Sequence, residues 1–259
     1  MGLWMKEKWK QDEKSRERLL GLLMGALILC CAFALGREAA HYRSTAKTSD
    51  VETAEESGVK KKIRVVIDAG HGGDDPGKIG TNGALEKDIN LKIAGRVKAL
   101  LEAQDIEVVM TRETEDGLYD VDASNKKVQD MKRRIAIIEE TQPVITVSIH
   151  QNSYQEEYVH GAQVFYYTNS VEGKLLAEYL QESLIEIADP ENTRVTKAND
   201  SYYLLKKTGT PIVIVECGFL SNGAEAEKLT TEDYQEKIAW AVHMGILRYL
   251  NAVSASDPY

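Results

Sequence analysis

Short apolar runs that alternate with helical patterns constrain this chain more than any other feature. Apolar, β-branched segments occur at Ile63–Asp68, Ile106–Thr111, Val144–Ile149, Ala162–Thr168 and Ile212–Glu216, with a weaker one near Tyr202–Leu205. Between them, Ile89, Ile93, Val97 and Leu101 recur every four residues, and Ile135, Ile138 and the Leu175–Ile187 stretch behave similarly. Thr230 with Asp233 resembles a capping box, and Tyr234, Ile238, Ala241, Ile246 and Tyr249 draw an apolar stripe behind it. This alternation predicts an α/β fold: about six strands in a largely parallel, twisted sheet with helices on both faces. Ligands of such sheets bind beyond the carboxyl ends of the strands. The residues that follow each strand are therefore the ones to examine.

Three strand ends carry unusual chemistry. The first run leads into Ala69-Gly70-His71-Gly72-Gly73-Asp74-Asp75-Pro76-Gly77, the third into His150-Gln151-Asn152-Ser153, and the late one into Glu216-Cys217-Gly218-Phe219. A glycine-rich turn after a first strand often cradles phosphate, but Asp75 stands where a dinucleotide fingerprint needs its third glycine. Two carboxylates in the loop would also repel a pyrophosphate, and Ile79 follows Gly77-Lys78 where a nucleotide P-loop needs Ser or Thr. The glycines instead let the backbone turn sharply and project His71 over the sheet edge.

A single histidine more often settles in a structural role than ligates. Here two of the five histidines, His71 and His150, follow strand ends, and Glu86 opens the Ile89–Leu101 helix. An acid in a first helical turn is favoured by the helix dipole alone, but that does not account for the two histidines. Two imidazoles and one carboxylate make a catalytic zinc set, with a position left for water. Glu216 closes an apolar strand, where burial is costly unless the carboxylate meets a charge or moves a proton. Beside such a metal it would act as general base and then acid.

Composition narrows the partners. Over 259 residues, 32 Lys+Arg against 41 Asp+Glu give a net charge of −9, the wrong sign for binding along a nucleic-acid duplex. Three cysteines form no disulfide framework and no paired zinc-ribbon spacing. Residues 1–36 hold six basic and four acidic side chains, so the remainder is more acidic still, at −11. Directly after Arg18, 18 uncharged positions run from Leu19 to Gly36, a helix of about 27 Å that matches a bilayer's hydrocarbon thickness. The segment reads either as an uncleaved N-terminal transmembrane anchor or as a cleavable signal helix, and both readings export the body. Residues 37–60 are polar and read as a solvated linker. The dense domain follows over 61–252, with a short tail at 253–259.

The segments VVIDAGHGGDDPG, GALEKDINL, SIHQNS, GAQVFYY and PIVIVECGFLSN resemble, in order and over essentially all of residues 61–252, the zinc-dependent N-acetylmuramoyl-L-alanine amidases of bacterial cell-wall metabolism, amidase type 3. The resemblance implies that His71, Glu86 and His150 bind Zn2+ and that Glu216 is the catalytic glutamate. It implies hydrolysis of the amide joining the lactyl group of N-acetylmuramic acid to the L-alanine of the peptidoglycan stem peptide. The tail, the short N-terminal segment and the absence of wall-binding repeats look most like the sporulation amidases of the CwlD type, which prepare spore cortex for muramic-δ-lactam formation. That role implies export to the cell-wall side, in the intermembrane space of the forespore.

Some positions depart from the family. Gln151-Asn152 stands where Ala-Asn is common, which bears on substrate contacts, and Glu139 replaces a common asparagine. Arg134 reads as a structural salt bridge, and Asn152 either orients His150 or touches sugar. Cys217 reads as a small buried hydrophobe rather than a nucleophile. The insertion from Glu113 to Lys132 is short and polar, suited to a substrate-side loop rather than to self-inhibition; activation by a protein partner, known in parts of the family, stays open. The competing classes are a zinc exopeptidase, which would place its His and Glu in an H-x-x-E arrangement, and a non-catalytic wall-binding protein, which should lack a ligand or the glutamate.

Overall fold

A computed structural model of the chain describes residues 62–256. Six strands, β1 (Arg64–Ala69), β2 (Glu107–Met110), β3 (Ile145–Asn152), β4 (Gln163–Tyr167), β5 (Lys197–Asn199) and β6 (Ile212–Phe219), form one sheet in the order β2-β1-β3-β6-β4-β5. The pairs β1–β2, β1–β3, β3–β6 and β4–β5 are parallel, whereas β4 runs antiparallel to β6. The sheet is therefore mixed: four strands share one direction and the β4–β5 edge opposes them. The expected largely parallel arrangement holds only for the four-stranded part.

The helices are α1 (Glu86–Glu102), α2 (Lys126–Thr141), α3 (Val171–Ser183), α4 (Tyr203–Lys207), α5 (Gly223–Thr230) and α6 (Glu232–Ser256), with one π turn at Leu184–Ala188 after α3. Alternation along β1 divides its side chains between two layers. Val65 and Ile67 join Ile93, Leu176 and Ile246 from α1, α3 and α6. Val66 faces the other way and joins Ile138 of α2 and Leu204 and Leu205 of α4. A strand covered on both faces reads as a continuous apolar run, which is why β1 and β6 were legible. Each fully buried Val, Leu or Ile contributes about 1.5–3 kcal/mol, and that burial holds the strand ends in register.

Two local expectations are corrected. The segment near Tyr202–Leu205 is not a strand; the sixth strand is Lys197–Asn199, and Tyr203–Lys207 is helical. The Asn199 side chain accepts from the Ser201 and Tyr202 N–H groups and turns the chain, and adjacent Leu204 and Leu205 both pack into the cluster around Val66 and Ile138, whereas alternation along a strand would send them to opposite faces. At the last helix the hydroxyl that meets a backbone N–H, that of Tyr234, belongs to Thr231, while the Thr230 hydroxyl donates back to the Glu227 carbonyl. That helix runs to Ser256. The apolar segment at 19–36 and the linker at 37–60 lie outside the described residues. Among the described residues, no helix is long and apolar enough to cross a membrane.

Candidate metal centre and active site

The site assembles where β1, β3 and β6 end. His71 follows β1 in a left-handed conformation (φ 62°), flanked by Gly72 at φ 139° and Gly73 at φ 58°. Close approach makes two further glycines necessary. A Cβ on Gly70 would strike the His150 ring, and one on Gly77 would come within 2.5 Å of Glu86 Oε2 and 2.7 Å of His71.

His71, Glu86 and His150 converge, each offering one ligand atom, all within 4.8 Å of one another. Glu86 Oε1 lies 2.9 Å from His150 Nδ1 and 3.3 Å from His71 Nε2, and the two rings meet edge to face at 4.9 Å. The other nitrogen of His71, Nδ1, lies 3.0 Å from Asp75 Oδ2. A carboxylate on that nitrogen selects the tautomer whose Nε2 lone pair faces inward. The Glu86 carboxylate also accepts from the Lys78 and Gln151 N–H groups at 2.7 and 3.0 Å. Burial opposes its ionisation, but the hydrogen bonds and charge of His150 and His71 outweigh this and hold it well below the usual carboxylate range. Burial likewise opposes protonation of His71, yet Glu86 and Asp75 raise its pKa.

Two buried arginines clamp the loop that carries His71. Arg134, only 2% exposed, donates to Asp68 Oδ1 and Asp130 Oδ2, both at 2.6 Å, and to the Ala69 and His71 carbonyls at 2.7 and 2.5 Å. Arg112 donates to the carbonyls of Ala69, Gly70, Lys87 and Thr114. Arg134 thus meets structure rather than open surface. Asp68 is fully enclosed; burial opposes its ionisation, but Arg134 and the hydroxyls of Ser148 and Thr111 bring it down to about 2.

Glu216 pairs in register with His150 across β3–β6 and is 7% exposed, with Oε2 lacking a hydrogen-bond partner among the described residues. Burial pushes its pKa up to about 7; His150 and His71 pull against this and Glu86 adds to it. The Tyr202 hydroxyl lies near the Glu216 carboxylate and favours its charged form.

Other expectations meet mixed outcomes. Asn152 accepts from its neighbour Ser153 N–H through its side chain rather than reaching the His150 ring. Gln151 is buried and donates to Asn90 Oδ1 at 3.1 Å, so its side chain faces α1. Cys217 is fully buried, and burial raises its thiol pKa far above the usual range, which disfavours nucleophilic use. From the Glu113–Lys132 insertion, Glu115 accepts from the Gly73 N–H and the Tyr119 hydroxyl bonds the Asp74 N–H, so this segment buttresses the His71 loop. Asp75, Arg112 and Tyr202 are given no role at the site by the sequence reading. The available signal for Asp75 was a carboxylate four residues after a candidate ligand within one tight turn.

Comparison with known proteins agrees with this geometry. The germination-specific N-acetylmuramoyl-L-alanine amidase of Bacillus subtilis is 36% identical over 188 residues, covering 71% of this chain and 78% of that protein. Among solved structures, the CwlD amidase of Clostridioides difficile, determined in complex with the GerS lipoprotein, is 40% identical with a TM-score of 0.72 and covers 74% of this chain and 100% of that one. The N-acetylmuramoyl-L-alanine amidase AmiC2 of Nostoc punctiforme is 33% identical with a TM-score of 0.63, covering 73% and 97%. Residues 65–248 match the type 3 N-acetylmuramoyl-L-alanine amidases, and the chain belongs to that family of hydrolases.

Proposed function

We propose that His71, Glu86 and His150 hold zinc and that Glu216 moves the proton in hydrolysis of the amide between the lactyl group of N-acetylmuramic acid and L-alanine of the peptidoglycan stem. The observation that carries this is the pairing of three converging donors with a buried, half-satisfied carboxylate at the next strand end. Two imidazoles and a carboxylate suit zinc, and the Asp75 hydrogen bond leaves the inward nitrogen of His71 free to ligate. Zinc bound there supplies a Lewis acid that polarises the scissile carbonyl and acidifies water. Glu216, poised near neutrality, takes the proton of the attacking water and returns it to the departing amine of L-alanine. Arg134 and Arg112 keep the His71 backbone fixed while this occurs.

Incubation of the zinc-loaded full chain with peptidoglycan should release peptides that begin with L-alanine and leave muramic acid with free lactyl carboxyl groups, both read by mass spectrometry. Cleavage inside the stem would refute the assignment. Similarity to a germination-specific amidase and to CwlD supports action on spore cortex from the cell-wall side; the uncharged run from Leu19 to Gly36 supports the N-terminal segment as anchor or signal. The GerS complex of that relative supports a protein partner here as well. Spores lacking the gene product should lose muramic-δ-lactam from their muropeptide profile; an unchanged profile would remove the cortex role.

A further inference from the structure

One arginine at the mouth of the site lacks a carboxylate. Arg194 Nε donates to the His160 carbonyl at 2.6 Å and Nη1 to Gln163 Oε1 at 3.3 Å, while the guanidinium lies over the Phe219 ring, 4.6 Å from its centroid. No acidic oxygen lies within 4.0 Å among the described residues, and Nη2 has no partner there. The nearest influential charge, Glu225, is already used, accepting from the Gly161 and Phe219 N–H groups. The backbone under Arg194 is also pinned. Asn192 Oδ1 accepts the Arg194 N–H, Asn192 Nδ2 donates to the Ala162 carbonyl, and Gly161 takes φ 97° where a Cβ would strike Asn192.

Strand register ties this group to the chemistry. Gln163, which holds one side of the guanidinium, pairs with Glu216, and Phe219, on which it stacks, pairs with Asn152 two residues beyond His150. A planar cation held on an aromatic face with one edge open is prepared for a carboxylate. The chain's net charge of −9 would otherwise repel an acidic peptide.

We infer that Arg194 is a specificity-determining residue that receives the free carboxylate of the acidic residue following L-alanine in the stem peptide. This rests on the amidase reading and names the part of the substrate it selects. The test compares two muropeptides that differ only in that group, carboxylate or carboxamide, with the zinc-loaded full chain. The carboxylate form should be cleaved with about ten- to a hundredfold higher kcat/KM, mostly through KM, the range expected of one charge-assisted hydrogen bond. Arg194→Gln should abolish the preference while still cleaving the carboxamide as the native protein does, and Arg194→Lys should restore part of it. Equal cleavage of both forms by the native protein would overturn the inference without touching the amidase reading. An equal loss on both forms in Arg194→Gln would assign Arg194 to structure alone. Calorimetric binding of the same pair to Glu216→Gln protein reads the preference without turnover. Equal Kd values there would overturn the Arg194 role whatever the activity.

Discussion

Glu86 and Glu216 flank His150, one hydrogen-bonded to its ring and the other paired with it across the sheet, and both are buried. Their surroundings drive them apart. Glu86 accepts from two backbone N–H groups and faces two imidazoles, so its charge is favoured despite burial. Glu216 has one orphaned oxygen and a tyrosine hydroxyl, so burial lifts it to about 7. Burial alone therefore does not assign a carboxylate its protonation state; the partners that replace water do. The comparison separates a carboxylate built to stay charged and hold a cation from one built to exchange a proton.

The largest effect should come from Glu86→Gln, which sets an amide N–H2 against the Lys78 and Gln151 donors and removes the anionic ligand. Zinc affinity should fall by more than the about 10–100-fold that loss of a supporting hydrogen bond costs, with activity lost alongside, measured as metal retained after dialysis. Full zinc retention would break the distinction between the two glutamates. Glu216→Gln should keep wild-type zinc content while kcat falls by about 10²- to 10⁴-fold; undiminished turnover would remove Glu216 from its role.

Next in size is the frame beneath both. Arg134→Met strands the enclosed Asp68 carboxylate and should cost about 3–5 kcal/mol in urea unfolding. Asp68 titrates at about 2 in the folded protein against an ordinary 3.8. Its stabilisation, about 2 kcal/mol, is therefore present above about pH 4 and lost as pH falls through about 2. Acid unfolding of the variant should lack that dependence, and an unchanged profile would place the stabilisation elsewhere.

The smallest effect sharpens the Glu216 side. Its proton-accepting form is the carboxylate, so kcat/KM should rise with pH across its titration; bound zinc lowers that limb below the value of about 7. Tyr202→Phe removes a hydroxyl that favours the charged form, so the limb should move to higher pH, by roughly one unit or less. A limb that stays in place would exclude Tyr202 from tuning Glu216.

Much of this site was legible because strand ends announce themselves. His71, His150 and Glu216 each follow an apolar run, and Glu86 opens a periodic helix, so residue type and spacing sufficed to propose them together. The Tyr202–Leu205 segment is ambiguous in sequence because Tyr-Tyr-Leu-Leu is apolar in either period; only the Asn199 turn and the packing of Leu204 and Leu205 into one cluster make Tyr203–Lys207 helical, with Tyr202 extended before it. Arg134 was recognisable as an ion-pair partner in kind but not in target, since Asp68 lies 66 residues away. Arg112 gave no signal, because its partners are backbone carbonyls that any sequence possesses.

By itself the sequence determined the α/β class, the strand ends that bear chemistry and the glycines that let His71 turn, because these depend on neighbours within a few positions. Only the tertiary structure decided that β4 and β5 run against the other strands, that Glu86 meets both histidines, and that among the described residues Glu216 keeps a bare oxygen and Arg194 stands without an acid. Those outcomes depend on which distant groups displace water around a side chain. His150 and Glu86 are 64 residues apart, and only packing brings them to 2.9 Å.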